Sequence, residues 1–233
     1  MSDPQIPLDP GKFYHIYNRG INSCNLFRES ANYEHFLELY DKYISPVADT
    51  YAWVLMPNHF HLLVRVKEDV VYKYSYADRS VDAVRFEEQK WQTTRLSDLS
   101  DLSACAAPDS VTKNKIPKPH LHFSHLLNAY CKYFNTRTGR HGALFERRFK
   151  RNEISDKDYF RKMVLYIHNN PVHHKFTEHA MDYPWSSYLT CISVKPTRLQ
   201  RDAVIGWFDN EANFKYWHDQ KIEKEEIERW LEL

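Results

Sequence analysis

The stretch Met56–Val64, MPNHFHLLV, holds two histidines that flank one bulky apolar residue at the start of an otherwise apolar segment. Side chains alternate between the two faces of a β-strand, so His59 and His61 are predicted to share one face. The other face carries an apolar set that needs a core to pack on: Phe60, Leu62, Val64 and Val66. Two imidazoles side by side can share a metal ion, while the plainer interpretation is a pair of polar residues at a strand end.

The segments on either side of this stretch predict one antiparallel sheet with helices packed on it. Pro57-Asn58 supplies a tight turn, which makes 51–56 and 59–66 the two strands of a hairpin. Composition and apolar spacing predict further strands at 13–20 and 143–151, and helices at 33–44, 123–134 and 156–170, the last ended by Pro171. This order indicates an α+β fold, a ferredoxin-like or RRM-like antiparallel sheet flanked by helices.

The chain of 233 residues is predicted to divide into a main domain over 10–182 and a C-terminal helical extension over 183–233. From about 68 to 119 the regular pattern gives way to charged and small residues, including the near-repeat LSDLSDLS at 96–103. We therefore predict an insertion in the main domain over this range, because such long irregular stretches in a compact domain are usually functional or disordered.

The formal net charge of +1 argues by itself against a nucleic-acid partner, but the charges are unevenly placed. The segment 137–151 is basic, while the tail over 221–233 is rich in glutamate. Guanidinium groups suit phosphate contacts, although the same charges are also typical of a solvated edge strand, where they discourage aggregation. Phe145 and Phe149 of this segment are expected in the core. The candidate DNA-binding residues are Arg137, Arg140, Arg147, Arg148, Lys150 and Arg151.

The four cysteines show no Cys-x-x-Cys spacing, which gives no sign of a zinc knuckle or a redox motif. The N-terminus lacks the apolar core of a signal peptide, and no apolar run is long enough to span a bilayer. We therefore expect a soluble, cytoplasmic protein with no membrane partner.

Tyr166 and Asn170 lie four residues apart and share one face of the predicted helix. Taken alone they indicate structure, since a buried tyrosine usually bonds a carbonyl and Asn170 precedes a proline. Together with His59 and His61 they supply a nucleophile and ligands for a divalent cation, which phosphoryl transfer needs. Two imidazoles and one amide oxygen suit Mg²⁺ or Mn²⁺. His168 points about 200° round the helix from Tyr166, so no catalytic role is predicted for it.

His59-Phe60-His61, followed a helix later by Tyr166–Pro171 (YIHNNP), resembles the single-tyrosine HUH transposases of the IS200-like superfamily. The similarity covers most of the chain, from YHIYNRG at 14–20 through LFERRFK at 144–150 to PWSSY at 184–188. The last motif is most similar to the REP-associated tyrosine transposases. The insertion at 68–119 is longer than a minimal member of that family would have.

The resemblance implies that His59, His61 and Asn170 bind a divalent metal, Mg²⁺ or Mn²⁺, and that Tyr166 attacks a single-stranded DNA phosphodiester. The product would be a 5′-phosphotyrosine link and a free 3′-hydroxyl, which allows strand transfer. The implied partner is single-stranded or hairpin DNA of a REP-like element or an insertion-sequence end, in a nucleoid-associated protein. Monomer and homodimer both stay open.

Two other functions remain open. The chain could be a domesticated, catalytically silent protein that only binds DNA hairpins. It could also be a relaxase or replication initiator. Relaxases place the tyrosine before the histidine pair, so Tyr14 or Tyr17 would have to serve, and initiators often have a lysine where this chain has Asn170.

Overall fold

The computed structural model describes residues 6–68, 70–73, 92–95 and 116–220. The described strands are β1 (Phe13–Arg19), β2 (Ala48–Met56), β3 (His59–Val66), β4 (Val70–Lys73), β5 (Gln92–Arg95) and β6 (Lys150–Ile154). The helices are α1 (Ser30–Tyr43), α2 (Pro119–Thr138), α3 (Lys157–His173), α4 (Tyr188–Cys191), α5 (Arg201–Trp207) and α6 (Glu211–Asp219), with short 3₁₀ turns at Ile21–Ser23 and Ala180–Asp182. None of the described helices is long and apolar enough to cross a membrane.

Four strands form one antiparallel sheet in the order β2-β3-β1-β6. Helix α1 connects β1 to β2, and α2 lies between β3 and β6 in the chain. This is the split β-α-β-β-α-β arrangement of the ferredoxin-like fold, so the predicted fold class is confirmed. Strand β3, with the histidine pair, is central, and Tyr17 of β1 lies directly opposite His61.

Both faces of the sheet are covered because the two faces of β3 pack against different helices. Phe60 and its same-face neighbours belong to a core cluster with Phe36 of α1 and Tyr130 of α2. Leu63, on the histidine face, belongs to a second cluster with Met163 of α3. The predicted alternation along β3 is therefore confirmed, and α3 is the helix that faces His59 and His61.

The C-terminal helices complete the second cluster. Val204 of α5 and Phe214 of α6 are buried in the same cluster as Leu63 and Met163. Backbone bridges tie this part of the chain to β2, from Val54 to Ser186 and from Thr50 to Leu199. The C-terminal helical part is thus present as predicted over its described residues. The domain boundary between 182 and 183 stays a prediction, and residues on both sides of it share one core.

The predicted insertion at about 68–119 contains regular structure. Strands β4 and β5 pair in an antiparallel two-stranded sheet, with Val70 opposite Arg95. Helix α2 begins at Pro119, and residues 116–118 before it have no regular structure. Residues 69, 74–91 and 96–115 of the insertion, and the acidic tail over 221–233, lie outside the described residues.

Two predicted element boundaries are wrong. Helix α3 continues through Pro171 to His173. A proline near the end of a helix removes one backbone hydrogen bond, and the next turn is still closed because His174 N–H donates to Asn170 O. The predicted strand at 143–151 is a loop up to Phe149, and β6 begins only at Lys150. Leu144 and Phe145 are neighbours and both are buried, which breaks strand alternation, and Arg148 has a left-handed φ of 61°.

Candidate active site

Strands β1 and β3 place four aromatic side chains on the face that α3 covers. His59 and His61 lie on this face of β3, and the β1 residues opposite them are Arg19 and Tyr17. His15, two residues before Tyr17, shares the face, and its ring stacks on that of Tyr17 at a centroid distance of 4.7 Å. His61 is buried, and His59 is partly exposed.

Helix α3 brings Tyr166 and Asn170 to the histidine pair. The Tyr166 ring meets the His61 ring edge-on, with centroids 5.2 Å apart. Asn170 Oδ1 lies 2.9 Å from His59 Nε2. The i, i+4 spacing of Tyr166 and Asn170 gives each of them one histidine of the pair. The structure therefore brings together two predicted pairs of residues that are separated by more than a hundred positions in sequence.

Hydrogen bonds fix the orientation of both histidines. His59 Nδ1 lies 2.7 Å from Asn58 Oδ1, and His61 Nδ1 lies 2.9 Å from His15 Nε2. Metal-binding histidines are commonly oriented by such a bond from the second ring nitrogen. In each ring Nδ1 is engaged by a neighbouring side chain, so a metal would be bound through Nε2.

The donor atoms around His59 fit a divalent metal. His59 Nε2 lies 2.9 Å from Asn170 Oδ1, and in the tautomer that donates Nδ1–H to Asn58 both of these atoms would offer a lone pair to a metal. Neighbouring ligands of an octahedral ion lie about 3 Å apart when each is about 2.1 Å from the metal. No group of three or more His, Cys, Asp or Glu side chains in the described part of the chain could hold a metal, so a site here depends on the amide of Asn170 as third ligand.

His15 is a site residue that the sequence reasoning missed. It is fully buried, and burial lowers its pKa to about 3, so the imidazole is neutral. Its Nε2 pairs with His61, while its Nδ1 has no hydrogen-bond partner among the residues the structure describes. The available signal was the alternation of the first predicted strand, which puts residues 15 and 17 on one face.

A cleft of about 560 Å³ opens over the histidine pair and the nucleophile candidate. Its charged residues are Arg19, Glu146 and Lys150, and Arg19 pairs with Glu146 at 2.5 Å between Nε and Oε1. The remaining lining residues are Tyr17, Asn18, Ser23, Asn25, Pro57, Asn58, His59, His61, Tyr166, His174 and Phe176. The cleft is mostly polar and aromatic, which suits a nucleotide better than an apolar ligand.

The six predicted DNA-binding residues do not form one surface. Lys150 lines the cleft. Arg151, its neighbour, is buried toward α1 and α2, with its guanidinium 4.8 Å from the Phe149 ring, and desolvation lowers its pKa. Arg137 lies in the last turn of α2, where it donates a hydrogen bond to Glu29, and Arg140 lies in the loop just after that helix. Arg147 and Arg148 are exposed in the loop before β6. The role of all six residues in DNA binding stays a prediction.

The fold has a counterpart among solved structures. A REP-associated tyrosine transposase bound to a REP hairpin superposes with a TM-score of 0.51 and 16% identity, over 84% of this chain and 89% of the other. No protein-family model and no curated protein matches the sequence. At this identity the likeness shows the fold, an antiparallel sheet with helices on both faces.

Proposed function

We propose that this protein is a tyrosine transposase of the HUH type, which nicks single-stranded DNA and transfers the strand through a 5′-phosphotyrosine intermediate. The observation that carries the proposal is the meeting of Tyr166, His59 and His61 at one cleft, with Asn170 in contact with His59. The likeness to a transposase bound to a REP hairpin supports hairpin-bearing DNA as the substrate.

The residues divide the work of phosphoryl transfer. Tyr166 Oη forms a bond to phosphorus, and the P–O3′ bond breaks. The 3′-oxygen takes up a proton as the phenol loses one, so a hydroxyl and a phosphotyrosine result. His59, His61 and Asn170 are the residues that would hold Mg²⁺ or Mn²⁺, which supplies Lewis-acid stabilisation of charge on the phosphoryl oxygens.

The chain's own side chains prepare this step. Asn58 and His15 hold the two imidazoles in one orientation, so the ligand atoms need no rearrangement. Edge-on packing of Tyr166 against His61 keeps the phenol beside the ligand set. Lys150 at the cleft adds a positive charge suited to a DNA phosphate.

The relaxase alternative needs a nucleophile before the histidine pair. Tyr14 is fully buried on the opposite face of the sheet, and its hydroxyl accepts a hydrogen bond from Asp9 N–H at 2.9 Å. Tyr17 lines the cleft, but its hydroxyl is bonded to the Asn152 side chain and burial raises its pKa. The burial of Tyr14 on the other face excludes it, and Tyr17 is the relaxase candidate that is tested against Tyr166.

The test is covalent capture of hairpin DNA with randomised single-stranded flanks, in the presence of Mn²⁺. Wild-type protein should retain the 3′-labelled fragment through its 5′-phosphate and release the 5′-labelled fragment with a free 3′-hydroxyl. Tyr166→Phe should abolish the adduct, and Tyr17→Phe should leave it. The His59→Ala and His61→Ala variants should lower Mn²⁺ affinity in a direct titration.

Three results decide between the functions. No adduct with wild type, combined with hairpin binding, supports the silent binding protein. An adduct that survives Tyr166→Phe and disappears with Tyr17→Phe supports the relaxase arrangement. Retention of the 5′-labelled fragment on the protein would overturn the 5′-phosphotyrosine chemistry.

A further inference from the structure

Phe176 is an exposed aromatic residue at the mouth of the cleft. Its side chain is 54% exposed, and it lines the same cleft as Tyr166 and His59. A single exposed apolar residue is ordinary on a protein surface, so exposure alone carries no function. What distinguishes Phe176 is the position of its ring at the cleft and the backbone turn that holds it there.

The turn after α3 fixes the position of Phe176. Its N–H donates to Pro171 O at 2.9 Å, and the N–H of Lys175 donates to Val172 O at 2.9 Å. Lys175 has a φ of 59°, in the left-handed region that non-glycine residues rarely adopt. A left-handed residue is common directly after a helix, and the two hydrogen bonds are those of a Schellman turn at the helix C-terminus. The ring is therefore presented to the cleft by a hydrogen-bonded turn that begins in the helix of the nucleophile.

The groups around the ring match the parts of a nucleotide. Lys150 offers a cation for phosphate, and Asn25 and Asn58 offer amide groups of the kind that bind base edges. Phe176 adds a flat apolar face, which is what the face of a base requires. An apolar peptide would find few other apolar partners in a cleft lined mainly by polar side chains.

We propose that Phe176 is a stacking platform for one base of single-stranded DNA in this cleft. The inference rests on the proposed function and deepens it, since it names a base-binding position of the same site. Every base has a π-face, so this contact adds affinity without choosing a sequence.

The experiment compares two single strands with the same phosphates. One is oligo(dT) of about 15 nucleotides, and the other is an abasic strand of equal length, so the difference in affinity reports base contacts alone. Binding to the full chain is measured by fluorescence anisotropy. Wild type should prefer oligo(dT), and Phe176→Ala should weaken oligo(dT) binding roughly tenfold while binding of the abasic strand is unchanged. Phe176→Trp should keep the preference.

Two controls separate stacking from other effects. Tyr216→Ala removes an aromatic residue of similar exposure, 59%, that does not line the cleft, and should change neither affinity. Phe176→Leu keeps an apolar side chain without a π-face and should behave like Phe176→Ala. Full affinity in Phe176→Leu would show apolar contact rather than stacking and overturn the proposal.

The proposal also fails if wild type binds both strands equally, or if Phe176→Ala keeps the preference for oligo(dT). In either case, the covalent-capture assay with Tyr166→Phe still reports on the nicking activity. A chain that forms the adduct but shows no base preference loses this inference and keeps the proposed function. A chain with base preference at Phe176 but no adduct keeps this inference and loses the catalytic one.

Discussion

At the residue scale, the orientation of His61 depends on His15, which is fully buried behind it. His15 Nε2 engages His61 Nδ1 at 2.9 Å, and the two rings stack with an interplanar angle of 16°. Because this bond occupies Nδ1, a metal can reach His61 only through Nε2. His15 itself does not line the cleft, so it acts on the site through His61.

We predict that His15→Phe weakens Mn²⁺ binding roughly 10- to 100-fold, since the ring remains but the bond that orients His61 is lost. The measurement is a Mn²⁺ titration followed by electron paramagnetic resonance. Thermal unfolding should show that the variant stays folded, because the change also removes the buried Nδ1 of His15, for which the described part of the chain offers no hydrogen-bond partner. A folded His15→Phe protein with wild-type Mn²⁺ affinity would show that His61 needs no such support.

Tyr17→Phe is the matched control. It keeps the ring that stacks on His15 and loses only the hydroxyl bonded to Asn152. Mn²⁺ affinity should be unchanged in this variant. A comparable loss of affinity in both variants would point to general loosening of the β1 face.

At the element scale, α3 carries two different polar sets. Tyr166 lines the cleft and Asn170 contacts His59, while His168 is fully buried between the helix and the C-terminal segment. The carbonyl of Phe214 accepts from His218 Nδ1 at 2.7 Å, so His168 Nδ1 donates to His218 Nε2 at 3.0 Å. The Ser187 hydroxyl then donates to His168 Nε2 at 2.8 Å. This chain of hydrogen bonds is formed by neutral imidazoles.

The buried histidine pair predicts a loss of stability in acid. Burial lowers the pKa of His218 to about 4 and that of His168 well below its usual value. Histidine side chains in the unfolded chain have a pKa near 6.5. Between about pH 6.5 and pH 4 the unfolded state therefore binds more protons than the folded state, and the free energy of unfolding falls as the pH falls. For one histidine with the shift of His218, the free energy of unfolding should fall by about 2 kcal/mol between pH 7.5 and pH 5. Urea unfolding at the two pH values measures it.

Replacing a buried and an exposed histidine distinguishes this source of pH dependence. His218→Phe removes one shifted group and should reduce the loss between pH 7.5 and pH 5 by about 2 kcal/mol, whatever its effect on stability at neutral pH. His141→Ala, at an exposed position, should leave the loss unchanged. An identical pH dependence in both variants would contradict a buried, neutral His218.

Local pattern was sufficient for some elements and not for others. The two faces of β3 and the shared face of Tyr166 and Asn170 follow from strand and helix periodicity, which can be read from residue spacing alone. The loop at 143–149 could not be predicted, because the burial of Phe145 and Phe149 depends on α1 and α2. The roles of His15 and Ser187 also depend on contacts between distant segments: residue 15 with 61, and residue 187 with 168.

At the scale of the whole molecule, the sheet has a core on each side, and the side that bears the site is completed by the end of the chain. Phe208 and Phe214 are fully buried in the cluster that contains Leu165 and Tyr166. Ser187 N–H donates to Trp53 O at 2.9 Å, which ties this segment to β2. The support of α3, and therefore the position of Tyr166, depends on residues beyond 183.

We therefore predict that a chain ending at residue 182 does not fold stably, because it exposes the α3 face that α5 and α6 cover. A chain ending at residue 220 keeps every described contact and is the reference for the comparison, in a thermal melt followed by circular dichroism. The milder variant Phe214→Ala should lower the free energy of unfolding by about 3–5 kcal/mol, the usual cost of emptying a buried phenylalanine site. Cooperative unfolding of the 182-residue chain at the full-length temperature would instead show that 10–182 is an independent domain, with the C-terminal helices added to a core already complete.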